Sequence, residues 1–99
     1  MQEDSYAKIL DQLYGAVSLL ASGRDSLEER LAEVYFSYLQ PIDASVLPDD
    51  ARAQFNWIRE QLQQMFPQRG QVGRVQPAIA VVIAQNIILL QYSLRWRQP

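Results

Sequence analysis

An uncharged apolar run near the end of the chain restricts the possible folds more than any other feature of the sequence. Residues 77–94 contain no Asp, Glu, Lys or Arg. On a helical wheel their apolar side chains form two stripes instead of one. The first stripe contains Ile83, Ile87, Leu90 and Leu94, and the second contains Val81, Val82, Ile88, Leu89, Tyr92 and Trp96. Such a helix is the buried centre of a domain, an oligomer interface or a membrane segment.

Length and polarity argue against the membrane alternative. The run 78–94 has seventeen residues, which is at the short limit of the ~17–25 residues that span a bilayer. Gln85 and Asn86 lie at its middle, where amide side chains are costly in hydrocarbon. We therefore favour a helix that is central in a bundle, or one whose second stripe is covered by another copy of the chain.

Apolar residues at three- and four-residue spacing predict three further helices. The four predicted helices cover about 5–22, 26–40, 48–66 and 77–97, with a flexible loop at 67–76. A chain of 99 residues fits a single domain. We expect an all-α fold over residues 1–99, either a four-helix bundle or an irregular helical array, with the C-terminal helix at its centre.

Several residues predict where the helices begin and end. Asp4 or Ser5 is expected to cap the first helix, and Gly23 to close it in the left-handed conformation. Residues 26–29, SLEE, form a capping box. Gly15 lies inside the first helix, where glycine is unfavourable, and this indicates a closely approaching neighbour.

The absence of Cys and His excludes several kinds of site. Disulfides, thiolate or imidazole metal ligands, Ser-His-Asp triads and cysteine nucleophiles all need one of these side chains. Glu29 and Glu33 are one turn apart, but beside Arg30 they are typical of a solvated helix face. We expect no catalytic residue, no cofactor and no metal, and hence no enzyme.

Charge is divided between the two halves of the chain. Residues 1–50 carry ten acids and three bases, and residues 51–99 carry six arginines and one acid. This division indicates either a docking surface or two halves whose charges compensate on folding. Tyr, Trp and Arg are enriched where binding energy concentrates. The candidate partner-binding residues are therefore Trp57, Arg69, Arg74, Arg95, Trp96 and Arg97.

Three short segments of the first three predicted helices carry a shared pattern. They are residues 13–16 (LYGA), 26–31 (SLEERL) and 47–52 (LPDDAR), the last followed by Phe55 and Ile58. In these segments the chain resembles a group of small bacterial helical proteins to which no activity is attached. The resemblance implies a helical fold and a bacterial source, and it does not extend to residues 67–99.

The sequence predicts a small, non-enzymatic interaction or accessory protein that acts by helix-mediated docking onto a protein partner or onto itself as a homodimer. The acidic N-terminus, which lacks the basic start of a secretory signal, predicts a cytoplasmic location. Two alternatives stay open. One is a regulator that binds nucleic acid through the arginines of 69–97, and the other is a membrane-associated protein that uses the C-terminal helix.

Overall fold

A computed structural model describes residues 2–70, 73 and 76–96, with side chains from Ser5 onward. These residues form helices and connecting turns with no strand, which confirms the predicted all-α fold. The four α-helices are α1 (Gln2–Ser22), α2 (Leu27–Val34), α3 (Asp49–Met65) and α4 (Pro77–Trp96). A π-helical turn, Tyr35–Leu39, extends α2, and a 3-10 turn, Ala44–Val46, precedes α3.

Both ends of α1 differ from the prediction. The helix begins at Gln2, so Asp4 and Ser5 lie inside it and do not cap it. Gly23 does not have a positive φ; among the described residues only Gly70 does, at 87°. Glycine is needed at position 23 because a Cβ there would lie 2.6 Å from Cδ of Arg30 and 2.7 Å from the carbonyl oxygen of Leu19. The Arg30 guanidinium donates hydrogen bonds to the carbonyls of Leu20 and Asp25, and so satisfies backbone acceptors at the end of α1.

The predicted helix 26–40 is divided between α2 and the π-helical turn. The Ser26 hydroxyl accepts a hydrogen bond from the Glu29 amide at 3.2 Å. Within the described contacts the Glu29 carboxylate does not return this bond, so half of the capping box forms. In the wider turn that follows, the Tyr38 ring lies over Gly15, where a Cβ would be 2.5 Å from the ring. The close neighbour predicted from Gly15 is therefore confirmed.

The connector between the π-helical turn and α3 packs onto the core. Asp43 begins the 3-10 turn by accepting hydrogen bonds from the amide and the hydroxyl of Ser45, at 3.0 and 2.7 Å. The hydroxyl bond, the amide bond and, more weakly, the charge of Arg59 outweigh a small desolvation effect and hold the pKa of the Asp43 carboxyl below its ordinary value. Arg59 also donates to the Ile42 carbonyl at 2.9 Å, which fixes the connector to α3. Pro48, predicted in the first turn of α3, is its N-cap residue.

α4 is the central helix, as predicted, and packs against α1, α3 and α2. The Tyr6 hydroxyl donates to the Leu94 carbonyl at 2.8 Å, which places the start of α1 beside the end of α4. Gln54 donates to the Asn86 side chain at 3.2 Å and joins α3 to α4. The core is one cluster of apolar side chains, and no polar or charged residue of the described set is buried.

Candidate functional site

The side of α4 that faces away from the core is apolar and exposed. We call this surface the outer face; it consists of Ala78, Val81, Val82, Gln85, Ile88, Leu89, Tyr92 and Trp96. Leu89 is 59% exposed and Trp96 is 74% exposed. The outer face contains all six residues of the second stripe predicted from the sequence.

The outer face arises because α4 has more apolar residues than one side of a helix can hold. Its inward side chains, Ala80, Ile83, Ile87, Leu90 and Leu94, are all buried in the core. At 100° per residue, the remaining apolar side chains must point to the opposite side. α1 and α3 lie along the two edges of α4 and leave this side open.

Aromatic residues of the neighbouring helices extend the apolar surface. Tyr14 of α1 is 63% exposed and lines a shallow depression together with Gln91 and Arg95 of α4. Trp57 of α3 is 38% exposed and lies one turn from Gln54, the residue bonded to Asn86. Both aromatic residues therefore lie on helices that border the outer face.

The outer face is large for a monomer. A whole aromatic side chain presents ~150–250 Å² and an aliphatic one less, so the six large side chains, which are 40–74% exposed, present roughly 500–600 Å². The largest apolar patch of a typical soluble monomer is ~300–600 Å², and it is often functional. The outer face is therefore a candidate docking surface.

Two adjacent amides of α4 have different surroundings. Asn86 accepts from Gln54 and donates to the Val82 carbonyl at 2.8 Å, so its amide is satisfied within the chain. Gln85 is exposed at the middle of the outer face. Within the described residues its side chain makes no hydrogen bond, so its donor and acceptor groups are both available to a partner.

By length and composition α4 also meets the requirements of a membrane-spanning helix. It is the one such helix in the described ranges, with a mean hydropathy of 1.6 over eighteen residues, of which 28% are buried. To cross a bilayer it would have to withdraw Ile83, Ile87 and Leu90 from the core.

A second concave region lies between α2 and the turn that follows α3. This cavity of about 400 Å³ is lined by Ser26, Glu28, Glu29, Ala32, Glu33, Phe36, Phe66, Arg69 and Gly70. Arg69 lies 3.5 Å from the Glu33 carboxylate, and its guanidinium carbon is 5.0 Å from the centre of the Phe36 ring. The Ser37 hydroxyl also donates to Glu33, at 2.6 Å. Arg69 and Glu33 therefore pair with each other in this cavity, and no group of metal-ligating side chains occurs in the described part of the chain.

The predicted partner-binding residues lie in different places. Trp96 is on the outer face and Trp57 is on the neighbouring helix α3, whereas Arg95 lies at the α1 edge of α4. Arg69 is in the cavity beside α2, where it pairs within the chain. Arg74 and Arg97 lie outside the described residues.

The sequence did not indicate the cavity beside α2. Its lining comes from α2 and the adjoining π-helical turn on one side and from the turn after α3 on the other, and these two parts are far apart in the chain. The pattern of apolar residues describes single helices and carries no information on such a junction.

Comparison of the chain with known protein families, with curated proteins and with solved structures found no match.

Proposed function

We propose that this protein is a small, non-enzymatic interaction or accessory protein that docks onto a protein surface through the outer face of α4. The main observation is that six large apolar side chains lie exposed on one side of a helix whose other side is buried. Burial of such a surface against a partner is favourable, because it removes apolar area from water. A cytoplasmic, bacterial setting is part of the proposal.

The arginines give less support to nucleic-acid binding. Arg52 pairs with Asp49 at 3.2 Å, Arg59 bonds the Ile42 carbonyl, and Arg69 pairs with Glu33. These groups already have partners within the chain, so binding to phosphate would compete with them. Among the described arginines of residues 51–99, Arg95 is the exposed cation that has no hydrogen-bond or ion-pair partner within the described chain, and a single phosphate contact gives weak, salt-sensitive binding.

The surroundings of the outer face also favour a protein over a lipid surface. Peripheral membrane helices carry Lys and Arg beside their apolar face, which attract anionic lipids. The depression at the α1 edge contains one acid, Asp11, and one base, Arg95. The charges at this edge therefore balance, and the described residues there supply no net attraction to an anionic bilayer.

Leu89→Glu tests the proposal, because Leu89 is exposed and its replacement leaves the core intact. The matched control is Gln63→Glu, which adds the same charge at an exposed position of α3 on the opposite edge from Gln54. We expect both variants to keep the helical content of the wild type by far-UV circular dichroism. Leu89→Glu should lose association with itself and with any protein recovered by the wild type from the host, and Gln63→Glu should keep both.

The outcome that contradicts the proposal is equally specific. If Leu89→Glu and the wild type behave alike in sedimentation and in partner recovery, the outer face is not a docking surface. Sedimentation of the wild type with lipid vesicles, lost in Leu89→Glu, would instead favour the membrane alternative.

A further inference from the structure

The side chains of the outer face increase in size from the start of α4 to its end. Ala78, Val81 and Val82 form the first half of the face. Its second half is formed by Ile88, Leu89, Tyr92 and Trp96. A face with this gradient is complementary in shape to an identical face that lies in the opposite direction.

The register of such a pair follows from the position of Gln85, which separates the two halves. With Gln85 opposite Gln85 of a second copy, Leu89 lies opposite Val81 and Ile88 lies opposite Val82. In the same register Tyr92 lies opposite Ala78, so that a large side chain meets a small one at these three levels, and Trp96 extends past the start of the partner's helix at Pro77. A parallel pair would place Tyr92 against Tyr92 and leave a gap between the two Ala78 residues, and such a gap lowers stability.

The hydrogen-bonding capacity of Gln85 favours the same register. A carboxamide has both donors and an acceptor, so two glutamines related by a two-fold axis can bond each other. Left unpaired in an apolar interface, an amide would cost free energy. Buried polar residues at single positions fix register and orientation in paired helices in this way.

Charge also favours the antiparallel arrangement. A parallel pair would bring the two exposed Arg95 side chains together at one end. In the antiparallel pair, ten residues separate each Arg95 from the axis, so the two cations are about 30 Å apart at 1.5 Å per residue. This separation exceeds the screening length of ~8 Å at physiological salt, so they do not repel appreciably.

The area of the outer face is close to what a stable dimer needs. Its exposed large side chains present roughly 500–600 Å², and standard protein interfaces bury ~800 Å² from each partner. Tyr14 and Trp57, on the bordering helices, are available to enlarge the contact.

We infer that a second copy of this chain covers the outer face, in an antiparallel homodimer whose two-fold axis passes beside Gln85. This inference rests on the proposed function and names the partner of the docking surface. It makes Gln85 the residue that sets the register of the dimer.

Disulfide cross-linking tests the geometry directly, because the chain has no cysteine of its own. Under mild oxidation Gln85→Cys should form a covalent dimer with itself. Tyr92→Cys should not, because its two copies are about 20 Å apart at 1.5 Å per residue, beyond the ~7 Å Cα separation that a disulfide can bridge. A mixture of Tyr92→Cys and Ala78→Cys should cross-link. Efficient self-cross-linking of Tyr92→Cys, without the mixed product, would overturn the antiparallel arrangement.

Charge complementation at Gln85 tests the axis without oxidation. Gln85→Glu and Gln85→Lys should each keep their fold, because the side chain is exposed. Each should raise the dimer dissociation constant at least about tenfold, since like charges meet at the axis. An equimolar mixture of the two should recover association by sedimentation equilibrium, whereas Gln63→Glu and Gln63→Lys should leave it unchanged.

The results separate this inference from the proposed function. A wild type that is monomeric at high micromolar concentration overturns the dimer. If Leu89→Glu then still abolishes recovery of a different protein partner, docking through the outer face stands. If the Gln85 variants associate as the wild type does, the axis does not pass beside Gln85.

Discussion

At the scale of single residues, Gly15 of α1 and Gly23, which follows the helix, are required by close neighbouring atoms and not by a positive φ. At Gly23 these atoms include the carbonyl oxygen of Leu19 in α1. A Cβ at Gly15 would meet the Tyr38 ring, and one at Gly23 would meet the stem of Arg30. Both contacts join α1 to the α2 region. The helix therefore accepts an unfavourable interior glycine at position 15 in exchange for close packing.

Replacement of Gly15 tests this interpretation. Alanine is favoured over glycine inside a helix by ~1 kcal/mol, but its Cβ would lie 2.5 Å from Cε1 of Tyr38. We expect Gly15→Ala to lower the free energy of unfolding by about 1 kcal/mol, an overpacking effect. In the Tyr38→Ala background the same change should raise it. Urea unfolding of the four proteins measures both effects, and the same sign in both backgrounds would contradict the packing explanation.

Asp43 offers a second prediction at this scale. Removal of the hydroxyl bond by Ser45→Ala should raise the pKa of the Asp43 carboxyl toward its ordinary value, while the amide bond keeps it partly lowered. Because folding lowers this pKa, the ionised carboxyl contributes stability above the unfolded pKa, and this contribution is lost as the pH falls through the folded pKa. The variant should lose less stability in acid through this group.

An NMR pH titration of the Asp43 carboxyl carbon measures the change. Ser37→Ala is the control, because it removes a similar hydroxyl bond from Glu33 and leaves Asp43 untouched. An unchanged Asp43 pKa in Ser45→Ala would show that the hydroxyl does not cause the shift.

At the scale of helices, α4 combines two functions that usually belong to separate elements. Its inner side supplies five buried residues to the core, and its outer face presents a comparable number of large apolar residues to solvent. Gln54 and Tyr6 bond α4 on its two edges, so the orientation of the helix about its axis is fixed. The outer face is therefore held in place by the core.

Two adjacent leucines of α4 separate these functions. Leu90 is 1% exposed and Leu89 is 59% exposed. Leu90→Ala should lower the free energy of unfolding by ~2–5 kcal/mol, because it leaves a cavity in the core. Leu89→Ala, measured at concentrations too low for association, should change it by no more than ~0.5 kcal/mol. Thermal or urea unfolding gives both values, and similar losses would mean that both sides of α4 are buried in the monomer.

Helical periodicity together with Pro48, Pro67 and Pro77 was sufficient to predict both ends of α3 and the start of α4 to within about one residue. The predicted start of α1 was wrong. Asp4 and Ser5 are residue types that favour the N-cap position, but both lie inside the helix, which begins at Gln2. The π-helical turn was not predicted, since its apolar residues keep a spacing compatible with an α-helix.

The candidate site was predictable only in part, for a related reason. The apolar residues of α4 form two stripes on a helical wheel, and either stripe could have been the buried one. Which stripe is buried depends on how the hydrogen bonds from Tyr6 and Gln54 orient α4. These bonds join residues that are separated in the sequence by 88 positions (Tyr6 and Leu94) and by 32 positions (Gln54 and Asn86).

At the scale of the whole molecule, the uneven charge of the sequence is partly compensated within the fold. Arg69 from the basic half pairs with Glu33 from the acidic half, and Arg59 bonds the carbonyl of Ile42. The outer face lies apart from these contacts and carries no formal charge from residue 78 to residue 94. Association through this face should therefore depend weakly on salt, unlike binding to phosphate.

Association of the folded chain should also make its stability depend on protein concentration. A partner that binds only the folded state stabilises it by mass action, and in a homodimer that partner is the protein itself. Above the dissociation constant, each tenfold rise in concentration should add ~1.4 kcal/mol per dimer, or ~0.7 kcal/mol per chain. For a domain of this size that amounts to a rise in Tm of about 3–5 °C per tenfold rise in concentration.

Circular dichroism melts over two decades of protein concentration measure this rise in Tm. Leu89→Glu should melt at one temperature throughout, because it stays monomeric, and Gln63→Glu should follow the wild type. A wild-type Tm that does not change with concentration would show that folding and association are not coupled through the outer face.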